Sequence, residues 1–218
     1  MKTSDNGRAF IEAFEGKFLH TYDDGTGVLT IGYGHTSMAG PPKVFSGQII
    51  TEAQCDAILA NDLAAVETNV ERCIKVPMTQ SQFDALVSFD FNTGSLFKSS
   101  IDDKINAGNS IAAMSTLLQY DHAGGKQMDG LTRRRQAEKL MFTGQVAQAM
   151  KLAGAHAANP GGPMPQAPTR PPIVILPPSV PPDVPKPLPP SITRPAPGSI
   201  GAFIASIFAA IAAIFRRK

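Results

Sequence analysis

The chain has 218 residues, with 20 Lys and Arg against 18 Asp and Glu and a formal charge of +2. That near balance speaks against a globally basic nucleic-acid binder. Of the 19 prolines, 16 follow Asn159, so composition separates residues 1–158, long enough to bury a core, from a remainder too proline-rich to fold compactly.

In chain order, the first residues, MKTSDNGRAFIEAFEG, lack the apolar stretch of a secretory signal. The protein is therefore expected to accumulate in the cytoplasm, and a separate agent would have to deliver it to a substrate outside. Ala9, Phe10, Ala13 and Phe14 have helical spacing and predict a first helix over 5–14. Two short runs, Phe18–Tyr22 and Val28–Tyr33, flank the turn residues Asp23-Asp24-Gly25-Thr26-Gly27 and predict a β-hairpin or small antiparallel sheet. Residues 37–50, with Gly40-Pro41-Pro42, read as loop.

Thr51 with Gln54, and Thr79 with Gln82, have capping-box spacing. They open a helix running to about Arg72 and another through Phe83, Leu86 and Val87 that ends at Asn92-Thr93-Gly94. Further helical segments lie near 100–107, 110–121 and 132–152, with breaks at Gly124-Gly125 and Asp129-Gly130. The order gives an α+β fold with the sheet segregated at one end. Cys55 and Cys73 match neither a zinc pattern nor a disulfide framework. Two buried thiols on helices are expected, with a single disulfide as the alternative.

Glycosidic hydrolysis needs one carboxylic acid to protonate the leaving oxygen and a second carboxylate on the opposite side of the sugar. Their environments must differ, so that one of them keeps its proton near neutrality. Glu15 at the end of the first helix and Asp24 in the following turn meet that demand. On residue type alone, Asp23 competes with Asp24, and Thr30 is only a good strand former.

The run Glu15-Gly16-Lys17-Phe18 through Asp24, then Thr30-Ile31-Gly32-Tyr33-Gly34-His35, resembles the T4-type phage lysozymes. That family shows Glu, eight residues, Asp, five residues, Thr, then Ile-Gly-x-Gly-His. Ala85–Phe89, Phe91–Gly94 and Gly130–Arg135 with Glu138 extend the resemblance over about residues 8–145. It implies a lysozyme-like fold and hydrolysis of the β-1,4 bond between N-acetylmuramic acid and N-acetylglucosamine in peptidoglycan. Carboxylate chemistry needs no metal or organic cofactor, and a monomer is expected. Glu15 would be the general acid, and Asp24 and Thr30 would position the attacking water. His35 would support the cleft wall through an ion pair, Asn92 would bind the sugar chain, and Arg133 would lie near the acid. From residue type alone, His35 reads as structural, Asn92 as a helix-end cap, and Arg133–Arg135 as an exposed face at a helix start. Two other readings are a wall-binding module without catalysis and a membrane-active tail carrying an accessory lysozyme.

Charge divides where proline does. Residues 1–158 hold 14 basic and 17 acidic residues, and residues 159–218 hold six basic and one acidic. Residues 159–199, with four Pro-Pro pairs, predict an extended semi-rigid linker. Residues 200–215 carry no charge and end in Arg216-Arg217-Lys218. As a helix they would reach about 24 Å, short of the ~30 Å hydrocarbon core. An inner-membrane contact, spanning or interfacial, is expected there.

Overall fold

The computed structural model describes residues 1–25 and 27–155; the linker and apolar helix expected over 159–218 lie outside the described residues. Helix α1 spans Asp5–Glu15. Its N-cap Ser4 accepts from the Gly7 amide, Asp5 complements the positive end of the helix dipole, and Gly16, at φ 72°, turns the chain out. Strands β1 (Phe18–Asp23), β2 (Leu29–Gly32) and β3 (His35–Thr36) form an antiparallel sheet in that order. Tyr22 and Thr36 both stand opposite Thr30, so the three share one face, while Ile31 pairs with His35 on the other. The loop before the next helix lies along the outer edge of β1, through Ile50 N–H to Leu19 O and Thr21 N–H to Gln48 O.

Helix α2 (Glu52–Cys73) and helix α3 (Gln80–Thr93) both open on the capping boxes read from sequence. Cys55 and Cys73 are buried free thiols, and burial pushes both thiols up. They sit at opposite ends of α2, about 27 Å apart at 1.5 Å per residue, far beyond disulfide reach. A 3₁₀ turn (Leu96–Lys98), α4 (Ile101–Asn106) and α5 (Ser110–Leu117) follow. A hairpin of β4 (His122–Ala123) and β5 (Lys126–Gln127) then leads to α6 (Asp129–Phe142) and α7 (Val146–Ala153).

Three elements depart from the sequence reading. The helix expected over 132–152 is two helices, because Gly144 takes the left-handed conformation at φ 81° between them. Helix α6 begins at Asp129, so Arg133–Arg135 lie past its first turn, where the dipole no longer penalises cations. Gly124 and Gly125 do not merely break the chain. Both have positive φ, 57° and 75°, the requirement of a tight hairpin turn, and they join β4 to β5.

Helix α3 is the centre of the helical core. Phe83, Ala85, Leu86, Val87 and Phe89 are wholly buried, and α1, α2 and α6 pack around it. Helix α1 meets α3 at Gly7, where an added Cβ would lie 2.6 Å from the Asp84 Cγ.

Candidate active site

Glu15 is the last residue of α1, and only 4% of it is exposed. The turn at Gly16 sends the chain into β1, which carries the next functional groups back beside the helix end. Glu15 Oε1 accepts from Arg134 Nη1 at 2.6 Å. Its Oε2 lies beside Gly34, where a Cβ would stand 3.8 Å away.

Asp23 and Asp24 separate at the end of β1. Asp23 is exposed, and its Oδ1 accepts from the Gly25 and Gly27 amides at 2.8 and 3.1 Å, tying the turn together. Asp24 is 2% exposed, and its Oδ1 accepts from the Val28 amide at 3.2 Å. Thr30 is buried on β2, with its hydroxyl donating to Val28 O at 3.3 Å.

Tyr22 is the cross-strand partner of Thr30. Its phenol is pushed up to about 12, first by burial and then by the charges of Glu15 and Asp24. The hydroxyl of Tyr22 therefore feels both acids, one from the helix end and one from the turn. Sequence reasoning missed Tyr22; the available signal was its hairpin register opposite Thr30.

His35 is buried, with Nδ1 at 2.9 Å from Asp62 Oδ2 on α2 and Nε2 at 2.9 Å from Pro42 O. Burial opposes its charge, but the hydrogen bond and charge of Asp62 and the Pro42 carbonyl outweigh it, so its pKa is raised. Two acceptors on two ring nitrogens fit the doubly protonated imidazolium. Its place is the junction of β3, α2 and the loop after β3.

Arg133 is exposed, with its guanidinium 5.6 Å from the centre of the Phe14 ring. The arginine on the acid is its neighbour Arg134, and the position expected of Arg133 belongs to that residue. The reason is helical phase: one residue on turns the side chain by about 100°, from solvent to the interior. Asn92 is buried and does not cap α3; its Oδ1 accepts from Arg135 Nη2 at 2.9 Å, while Gly94 closes the helix.

Behind Glu15, the buried side chains form a charged network. Glu138 Oε1 accepts from Ser88 Oγ at 2.7 Å, Arg135 Nη2 at 2.9 Å and Arg134 Nε at 3.2 Å. The Arg134 and Arg135 guanidiniums lie 5.3 Å from the Phe14 ring and 5.0 Å from the Phe89 ring. Burial pushes the Glu138 carboxyl up against the pull of both guanidiniums. It pushes Arg135 down to about 10, which leaves that residue charged at neutral pH. Among the described residues, no group of three or more His, Cys, Asp or Glu side chains is placed to hold a metal ion.

This arrangement offers two carboxylates from different elements, one against an arginine and one against the Val28 amide, with the Thr30 hydroxyl on the Val28 carbonyl. Its sequence neighbourhood has close counterparts. Residues 12–138 match the family model described as phage lysozyme, a span that includes every residue of the site just described. The endolysin of Acyrthosiphon pisum secondary endosymbiont phage 1 is 36% identical over 148 residues, covering 65% of this chain and 98% of that protein. The endolysin of Salmonella phage P22 is 38% identical over 144 residues, with the same coverage of each. Among solved structures, the endolysin from Escherichia coli O157:H7 phage FAHEc1 superposes with a TM-score of 0.59 at 34% identity, over 65% of this chain and 93% of that one. With a family match over more than half its length and relatives covered almost end to end, the chain belongs to the phage lysozyme family.

Proposed function

We propose that the chain is a muramidase: it cleaves the β-1,4 bond between N-acetylmuramic acid and N-acetylglucosamine with inversion, as a monomer. Hydrolysis of peptidoglycan, the work of an endolysin at the cell wall, follows from family membership. The finer reading gives Glu15 the role of general acid and has Asp24 and Thr30 hold the attacking water. One observation supports it: Glu15 and Asp24, from the end of α1 and the end of β1, are both buried acids, and Asp24 and the Thr30 hydroxyl both bond to Val28. Inversion needs roughly 6.5–9.5 Å between the carboxyl groups to admit the water. Asn92 is proposed as a sugar ligand, His35 as a support of the sheet side of the cleft, and Arg134 as the cation on the acid.

The test is the anomeric form of the first reducing sugar released from purified peptidoglycan, followed by NMR. Wild type is expected to release the α-anomer first. Glu15→Gln should lose at least roughly 100-fold in rate, and Asp24→Asn should lose turnover while keeping the fold. Initial release of the β-anomer would replace inversion with a retaining mechanism, and full activity of Glu15→Gln would remove the general acid.

We also infer that residues 200–218, apolar with a basic end, bring the enzyme to an anionic membrane surface.

A further inference from the structure

Four charged side chains meet behind the cleft: Glu15, Arg134, Arg135 and Glu138, the last three with no solvent exposure. Arg134 is held on every nitrogen. Its Nε donates to Glu138 Oε1 at 3.2 Å, its Nη2 to Ser88 O and Oγ at 3.2 and 3.3 Å, and its Nη1 to Glu15 Oε1 at 2.6 Å. Arg135 Nη2 donates to the same Glu138 oxygen at 2.9 Å. Glu138 thus joins both guanidiniums without touching the cleft side of Glu15.

We propose that Glu138 is a positioning residue for the general acid: it orients Arg134 toward Glu15, and its negative charge offsets the two buried arginines so that Glu15 can hold its proton. The proposal rests on the reading of Glu15 as the acid. With Glu138 ionised, the charge of one of the two buried guanidiniums is offset before Glu15 is counted. Removing the charge of Glu138 leaves two cations facing a single carboxylate, which favours the ionised form of that carboxylate. An acid that has lost its proton at working pH cannot protonate the leaving oxygen.

Outside α6, the buried Asp121 before β4 adds its negative charge to the surroundings of Arg135. Tyr22 feels the charge of Glu15 from the β side, and Arg133 lies across Phe14. On α1 itself, Glu12 is paired with Arg8. On α3, Asp84 is bound by Ser4 and Gln80, and Asp90 by Asn69 and the Leu96 amide. The charged residue of α7, Lys151, is exposed.

The experiment is the kcat–pH profile on purified peptidoglycan for wild type, Glu138→Gln, Glu138→Asp and Arg135→Gln, with circular dichroism to verify folding. In Glu138→Gln the alkaline limb should move to lower pH by roughly one unit, with KM little changed. Glu138→Asp, which restores the charge, should move the limb back. Arg135→Gln removes a cation and should move it the opposite way, to higher pH. A folded Glu138→Gln whose limb coincides with wild type overturns the proposal. If Glu138→Gln does not fold, an unmoved limb in Arg135→Gln overturns it and an upward shift supports it. A wild-type enzyme that releases no reducing ends sinks the hydrolase reading itself, whereas an active wild type with unmoved variants sinks only the role of Glu138.

Discussion

Asp23 and Asp24 are neighbours in sequence, and the backbone gives them different surroundings. Asp23 closes β1 with its carboxylate wrapped around the turn amides, whereas Asp24, one residue on, is buried. Sequence alone left the pair open, because two adjacent acids in a turn look equally solvated. Only the spacing shared with phage lysozymes separated them. His35 carries a pH prediction. Its folded pKa is raised, so its contribution is fully present below the ordinary histidine value of ~6.5 and is lost as pH rises through the folded value. The gap in Tm between wild type and His35→Gln should therefore be widest near pH 6, equivalent to about 2 kcal/mol for hydrogen bonds from a charged group, and should narrow toward pH 9. A gap that widens with pH would contradict the imidazolium assignment. Its partner Asp62 lies 27 positions away, and nothing local to His35 marks it.

Elements were legible where their signals are local. Both capping boxes, the left-handed Gly94 after α3 and the hairpin between the first two strands are decided within a few residues, and each forms where its sequence expects it. The long last helix was misread because one glycine inside an apolar periodicity is ambiguous until the backbone chooses its φ. The contact between α1 and α3 gives a prediction at this scale. Alanine in place of a helical glycine ordinarily stabilises, by about 0.5–1 kcal/mol. At Gly7 the sign should reverse, because the new Cβ meets Asp84, which cannot retreat from its bonds to Ser4 and Gln80. A loss of about 1–3 kcal/mol is expected, measured by urea unfolding. A stabilised Gly7→Ala would mean that the helices separate at little cost.

At the scale of the molecule, the described core closes on itself. Helix α7 packs on α6 and α1, and its last buried residue is Ala153. Among the described residues, no helix is long and apolar enough to cross a membrane. A chain ending at residue 158 is therefore expected to fold and to hydrolyse purified peptidoglycan within about twofold of the full chain's rate, since no element of the described core is removed. Deleting only 196–218 should shift the protein from the membrane fraction to the soluble fraction of fractionated cells. An unchanged distribution would remove the proposed membrane contact.

The sequence by itself determined the α+β order, the caps, the composition boundary near residue 158 and the Glu15, Asp24 and Thr30 spacing. The caps and the spacing depend on neighbours within a turn or a hairpin, where chain connectivity limits the choices, and the boundary on composition along the chain. Only the tertiary structure decided which of three adjacent arginines reaches Glu15, that Glu138 joins Arg134 to Arg135, and that Asn92 serves Arg135 rather than its own helix end. The acid and its arginine are 119 positions apart, and that contact depends on the phase and start of α6 and on its packing against α3. A shift of one residue in helical phase would have presented Arg133 instead.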